Sequence, residues 1–188
     1  MRIHFVRHLP TVQDPSTPSR DWLLAPEITA HETMLTKRLR HIGFDALLTS
    51  KEPKSQNSAA RLFPEELHYL ADSRLNELSR AGFIKDYAGQ VERVFARPEK
   101  PINNWEPAAV CFSRVLNLIE ELLSKEYQEV GLVGHGLQAA LVRAHTLSQS
   151  QARLEDWQQI QMPDYMHFSV SKEMRFELIE DFANFRTL

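Results

Sequence analysis

The stretch FVRHLPT, residues 5–11, sets a guanidinium and an imidazole side by side where an apolar run ends. Arg7 offers a planar fork of donors that suits the oxygens of an anion. His8 offers a ring nitrogen that, when neutral, is a nucleophile or a base. The arrangement recurs at residues 130–138, where the apolar VGLV runs into GHG and leaves His135 after a second short run. An Arg-His pair alone arises often by chance. Two imidazoles at two expected strand ends are a stronger signal, because α/β sheets commonly carry their binding groups there.

The elements that must position these groups follow from periodicity. RIHFVRH alternates and is rich in β-branched and aromatic residues, so it reads as a strand ending near residue 7. Residues 9–22 concentrate Pro, Ser, Asp and Thr and predict an exposed loop. From Ile28 to Gly43 the pattern is helical, with Ile28, Met34, Leu35, Leu39 and Ile42 on one face and Gly43 as the stop. FDALLTS follows as a buried strand. Strand, helix and strand then form a βαβ unit with both carboxyl ends at one sheet edge, making His8 and Ser50 neighbours.

Further along, SQNSAARLF predicts a helix, and DSRLNELSRAGF a polar connection that carries Glu77. Asp86 to Ala96 is read as helix and RPEKPINNWEP as loop, because three prolines break any period. Pro107 to Lys125 has a strong amphipathic period, with Val110, Val115, Leu118, Ile119 and Leu122 directed to the core. VGLV is a strand, LQAALVRAH a helix, and MHFSVSKEMRFELIE an edge hairpin turning near Lys172 and Glu173.

Composition bounds the function classes. A chain of 188 residues fits one domain, residues 1–188, that buries about 70% of its unfolded surface. Its 22 Lys and Arg against 25 Asp and Glu leave a net charge of −3, which argues against a nucleic-acid partner or an anionic membrane surface. The single cysteine, Cys111, falls on a helix face and cannot form an intrachain disulfide. The opening residues lack a secretory h-region and no run is long enough for a membrane span, so the expected location is the cytoplasm. His4, His31, His41, His68, His145 and His167 show no metal-ligand spacing along the chain, so no metal and no cofactor are expected. GHG is not a serine elbow, since histidine stands where the serine would be.

Taken in order, VRHLPT, FDALLTSKEPKSQNSAA, Glu77 in RLNEL, NNWEPAAVCFSRVLNLIEELL and VGHG resemble the histidine phosphatase superfamily, also called phosphoglycerate mutase-like. The resemblance covers nearly the whole chain. It implies a three-layer α/β sandwich with a mostly parallel central sheet and helices on both faces. It also implies a metal-independent phosphomonoester hydrolase, a histidine-type acid phosphatase acting on a small phosphorylated substrate. His8 would be the nucleophile, forming a phosphohistidine. Arg7, Lys54 and His135 would hold the phosphoryl oxygens, and Glu77 would protonate the leaving oxygen and later deprotonate water.

Three positions depart from the family pattern. Leu9 replaces the glycine after the nucleophile, and Pro10 biases it toward extended angles. Lys54 replaces an arginine, keeping the charge but losing the fork, so weaker clamping is expected. Asp14 replaces a polar amide and would repel phosphate if it pointed inward. These changes sustain an alternative, a weak or inactive member that binds a phosphorylated ligand or protein partner. A phosphoglycerate mutase is a further alternative, disfavoured by the short chain. Selectivity is assigned to residues 9–22 and 80–105.

Overall fold

Alternation along the strands divides the core in two. The computed structural model describes residues 1–65, 68–80, 82 and 84–182. Its strands are β1 (Arg2–Arg7), β2 (Ala46–Thr49), β3 (Leu70–Ala71), β4 (Glu129–Gly134), β5 (Asp164–Val170) and β6 (Phe176–Glu180), in the sheet order β3-β2-β4-β1-β5-β6. The pairs β2–β3, β2–β4 and β1–β4 are parallel, whereas β1–β5 and β5–β6 are antiparallel. The mainly parallel α/β sandwich is therefore found, with the expected hairpin at one edge.

The helices are α1 (Ala30–Leu39), α2 (Pro53–Leu62), α3 (Tyr87–Ala96), α4 (Ala108–Ser124), α5 (Gly136–Thr146) and α6 (Leu154–Gln159). Ile3, Phe5, Leu48, Val130 and Leu132 face a cluster completed by α3, α4 and α5. Val6, Leu47 and Val133 point the other way, onto α1 and α2. This is the two-residue period of a strand buried on both faces.

Local chemistry sets the helix ends. Thr29 caps α1 by accepting from the Glu32 amide at 3.0 Å. Ile28 therefore lies outside the helix and is 71% exposed, a correction to the core face expected of it. Pro53 starts α2 at its first turn, where the missing N–H has no intrahelical partner to lose. Asp86 caps α3 through the Gly89 amide at 3.0 Å. In α4, Cys111, Val115, Leu118, Ile119 and Leu122 form the buried row, each side chain contributing about 1.5–3 kcal/mol if aliphatic. Val110 stands about 100° round the helix from Cys111 and is 49% exposed, so its expected core role is also corrected.

One topological expectation fails. β1 and β2 belong to one sheet, but β4 lies between them, so His8 and Ser50 are not strand neighbours. The His8 amide donates to Gly134 O at 3.0 Å and the Ser50 amide to Val133 O at 3.2 Å. Both thus flank the end of β4, which carries His135. No helix among the described residues is long and apolar enough to cross a membrane.

Candidate active site

His8 follows the last residue of β1, and its Nδ1 lies 2.7 Å from Leu9 O. A carbonyl only accepts, so Nδ1 carries the proton and Nε2 is the basic nitrogen. Burial, reinforced by the neighbouring His135, Lys54 and Arg7, pushes the His8 pKa well below its ordinary value. Burial thereby favours the neutral ring.

His135 is fully buried beside it, with ring centroids 5.2 Å apart and planes at 63°. Its Nε2 is 2.8 Å from Ser50 Oγ, and its buried Nδ1 has no hydrogen-bond partner. Burial, then Lys54 and Arg80, depress its pKa well below the usual imidazole range. The flanking glycines have local reasons. A Cβ at position 136 would stand 2.8 Å from Arg7 Cζ, and one at position 134 would stand 2.7 Å from Phe5 Cζ. Only glycine lets the Arg7 guanidinium lie against the start of α5.

Arg7 Nη1 donates to Ile160 O, while its buried Nε has no hydrogen-bond partner. Lys54, on the first turn of α2, is 3% exposed. Its Nζ donates to Ser19 O at 2.8 Å and lies 3.0 Å from Glu52 Oε2. Glu77 sits at the start of α5, accepting from Leu78 N at 2.9 Å and Leu137 N at 3.3 Å. Burial raises its carboxyl above the usual carboxylate range, against the lowering pull of Arg80. A carboxyl so placed holds a proton more readily than a solvated one.

Arg7, His8, Lys54 and Glu77 line a cavity of about 560 Å³, with His135 behind the wall. The structure thus brings all five sequence-predicted residues to one sheet edge, four of them facing the cavity. Arg80, Tyr87, Trp22 and Trp157 line it as well. Sequence reading missed these four as site residues. Arg80 donates to Tyr87 Oη at 2.6 Å and Ser19 Oγ at 2.8 Å, so its fork is fixed by contacts 7 and 61 residues away. Glu52 was missed too. It joins Lys54, stands 3.8 Å from His135 Nε2 and accepts from Glu77 N at 2.8 Å.

The structure places two of the three departures outside the cavity. Leu9 is fully buried with Val6, Leu35, Leu39 and Tyr165, so its side chain fills the core and not the cavity. Within the loop expected to be exposed, it is an anchor. Asp14 turns back on its own loop, accepting from Ser16 N, Ser16 Oγ and Thr17 Oγ1 at 2.9, 2.6 and 2.7 Å. Those bonds lower its pKa and occupy its charge outside the cavity. Of the segment 80–105, positions 81 and 83 lie outside the described residues.

A family model described as histidine phosphatase superfamily (branch 1) matches residues 3–174. Among solved structures, the α-ribazole phosphatase from Shigella flexneri aligns at TM-score 0.67 and 17% identity, over 97% of this chain and 96% of that one. Phosphoglycerate mutase from Bacillus anthracis aligns at TM-score 0.74 and 13% identity, over 98% and 95%. Mycobacterial glucosyl-3-phosphoglycerate phosphatase aligns at TM-score 0.74 and 17% identity, over 96% and 98%. A search of curated proteins finds no match. At such identities the likeness is one of fold, shared by phosphatases and a mutase alike.

Proposed function

The chain belongs to the histidine phosphatase superfamily, and on that premise we propose that it hydrolyses a small phosphomonoester through a phosphohistidine on His8. The observation that carries this reading is the fixed tautomer: Nδ1 is committed to Leu9 O, which leaves Nε2 to attack phosphorus. A P–N bond forms as the ester P–O bond breaks, and Glu77 gives its proton to the departing oxygen. Water then attacks phosphorus, Glu77 takes its proton, the P–N bond breaks and inorganic phosphate leaves.

Arg7 and Lys54 hold the phosphoryl oxygens; His135, assigned to them by the family resemblance, is shut behind the cavity wall with its Nδ1 unpartnered, so its contact requires that wall to shift. Because the nucleophile is a side chain, the reaction needs no metal-bound water. The similar structures include phosphatases and a mutase alike, so the choice of hydrolysis over mutase chemistry rests on the assay below.

The Glu52 carboxylate beside Lys54 favours a second reading, a weak or inactive phosphate-binding member. An aryl phosphate, sugar phosphates, nucleotides, phosphoglycerates and phosphopeptides, assayed after exhaustive chelation, separate the two. Release of phosphate from the aryl ester by chelated protein is expected. Phosphate binding without any release supports the second reading, and release that returns only with a divalent ion overturns the mechanism.

A further inference from the structure

Far from the cavity edge, three residues with no proximity in sequence meet on the sheet face covered by α1. His4 on β1 stands opposite His167 on β5 in the antiparallel register. Glu129 opens β4, the parallel neighbour of β1 on the other side. One ligand atom from each of the three lies within 4.8 Å of the others. We propose that His4, Glu129 and His167 bind one divalent transition-metal ion, with Zn2+ the best match to two imidazoles and a carboxylate.

Each ligand is already partly prepared. His4 is 3% exposed. Its Nδ1 is 2.7 Å from Tyr165 Oη, and its Nε2 is 2.8 Å from Glu129 Oε2. The Tyr165 contact at Nδ1 is the kind of outer partner that orients a metal-bound ring, and it leaves Nε2 and Glu129 Oε2 as the pair that must part to take the ion between them. Glu129 Oε1 is occupied by Arg2, which leaves Oε2 for the ion. His167 stacks on His4 at a centroid distance of 4.2 Å, and its buried Nε2 has no hydrogen-bond partner. That orphaned nitrogen is the independent sign that the cluster lacks a ligand.

Geometry defines what binding requires. Tetrahedral zinc with bonds of about 2.0–2.1 Å holds its donors about 3.3 Å apart. The His4–Glu129 contact must open by about half an ångström. A carboxylate only accepts, so His4 Nε2 carries the proton in that contact; on binding it must move to Nδ1, which then donates to Tyr165 Oη, or leave, and His167 must present a bare Nε2. The stacked His167 ring, which is only half-buried, rotates to converge on the ion. Three protein donors leave a fourth position for water. Arg2 on Glu129 and Arg38, whose guanidinium lies 5.0 Å from the Tyr165 ring centre, oppose the added charge. Affinity is accordingly moderate compared with a closed cysteine site.

The site stands apart from the proposed reaction. His4 is four residues before His8, about 13 Å along an extended strand, so occupancy and turnover are separable. Sequence spacing hid the cluster, because its members lie at positions 4, 129 and 167 and only strand pairing joins them.

The test is equilibrium dialysis of metal-stripped full-length protein against Zn2+, with bound metal measured by mass spectrometry. Wild type and His8→Ala are expected to hold one zinc per chain. Glu129→Gln and His167→Ala are expected to lose affinity by roughly tenfold or more, with unchanged circular dichroism. Should those variants misfold, Co2+ added to the wild type is read instead, and intense visible bands of a four-coordinate ion are expected. No bound zinc in the wild type, binding unaffected in both ligand variants, or binding lost in His8→Ala overturns the assignment, as does a Co2+ spectrum of six-coordinate intensity.

Discussion

The rings of His8 and His135 lie 5.2 Å apart, centre to centre, across the joined ends of β1 and β4. Strand pairing fixes this separation, since the His8 amide bonds to the carbonyl next to His135. Both imidazoles are buried, and both have pKa values well below the ordinary range because burial disfavours the charged form. The folded chain therefore keeps them neutral where the unfolded chain protonates them.

The sign of the pH dependence follows. Below a pH of about 6.5, the unfolded state binds more protons than the folded state. Stability is thus lost as pH falls from about 6.5 toward the depressed folded values. His4 and His167 act in the same sense, the latter with a pKa pushed down to about 4. Urea unfolding at pH 7.5 and 5.5 checks this, and the double variant His8→Ala/His135→Ala is expected to show a smaller drop. An equal or larger drop in that variant contradicts the assignment of burial as the cause.

Glu77→Gln removes the proposed proton donor while keeping the shape of the carboxyl group. Its effect depends on the leaving group. Hydrolysis of alkyl phosphates is expected to fall by about 10²–10⁴-fold, and that of a nitrophenyl ester far less, because its leaving oxygen needs no proton. Parallel kcat/KM measurements on the two esters, which report formation of the phosphohistidine and not its shared hydrolysis, check this, and equal losses in kcat/KM would mean that Glu77 is not the proton donor.

Glu52 stands between Lys54 and His135 and counters the positive charge of the proposed phosphate site. Glu52→Gln keeps an acceptor for the Glu77 amide and removes that negative charge. Inhibition by inorganic phosphate is expected to tighten several-fold, about 1 kcal/mol. Lys54→Arg is expected to add to this only in the Glu52→Gln background, where the fork is no longer drawn aside. Inhibition constants for the two single variants and the double variant decide it.

Leu9→Ala opens a void among Val6, Leu35, Leu39 and Tyr165 and is expected to cost about 2–5 kcal/mol of stability. Denaturant unfolding measures the loss. The KM for an aryl phosphate is expected to stay within a factor of about two, because the side chain does not line the cavity.

Legibility in the sequence tracked the range of the interaction. Strand ends at His8 and His135 and the buried row of α4 were readable because they rest on periods of two and 3.6 residues. The insertion of β4 between β1 and β2 was not, since local patterns do not encode which strands pair. Arg80 shows the same limit at the site. Its place at the cavity depends on Tyr87 and Ser19, and no spacing rule links those three. Glu52 was visible as a carboxylate, yet only the fold of α2 against β4 sets it beside Lys54 and His135.

The proposed reaction stands or falls with a covalent bond between phosphorus and His8 Nε2. Brief mixing with a radiolabelled small phosphodonor, followed by alkaline denaturation and peptide mapping, tests it directly. Label is expected on the peptide containing His8, stable in alkali, lost in acid and absent from His8→Ala, whose turnover falls by at least about 10³-fold. Turnover by the wild type with no trapped label under conditions that slow breakdown, or label and turnover persisting in His8→Ala, would contradict it.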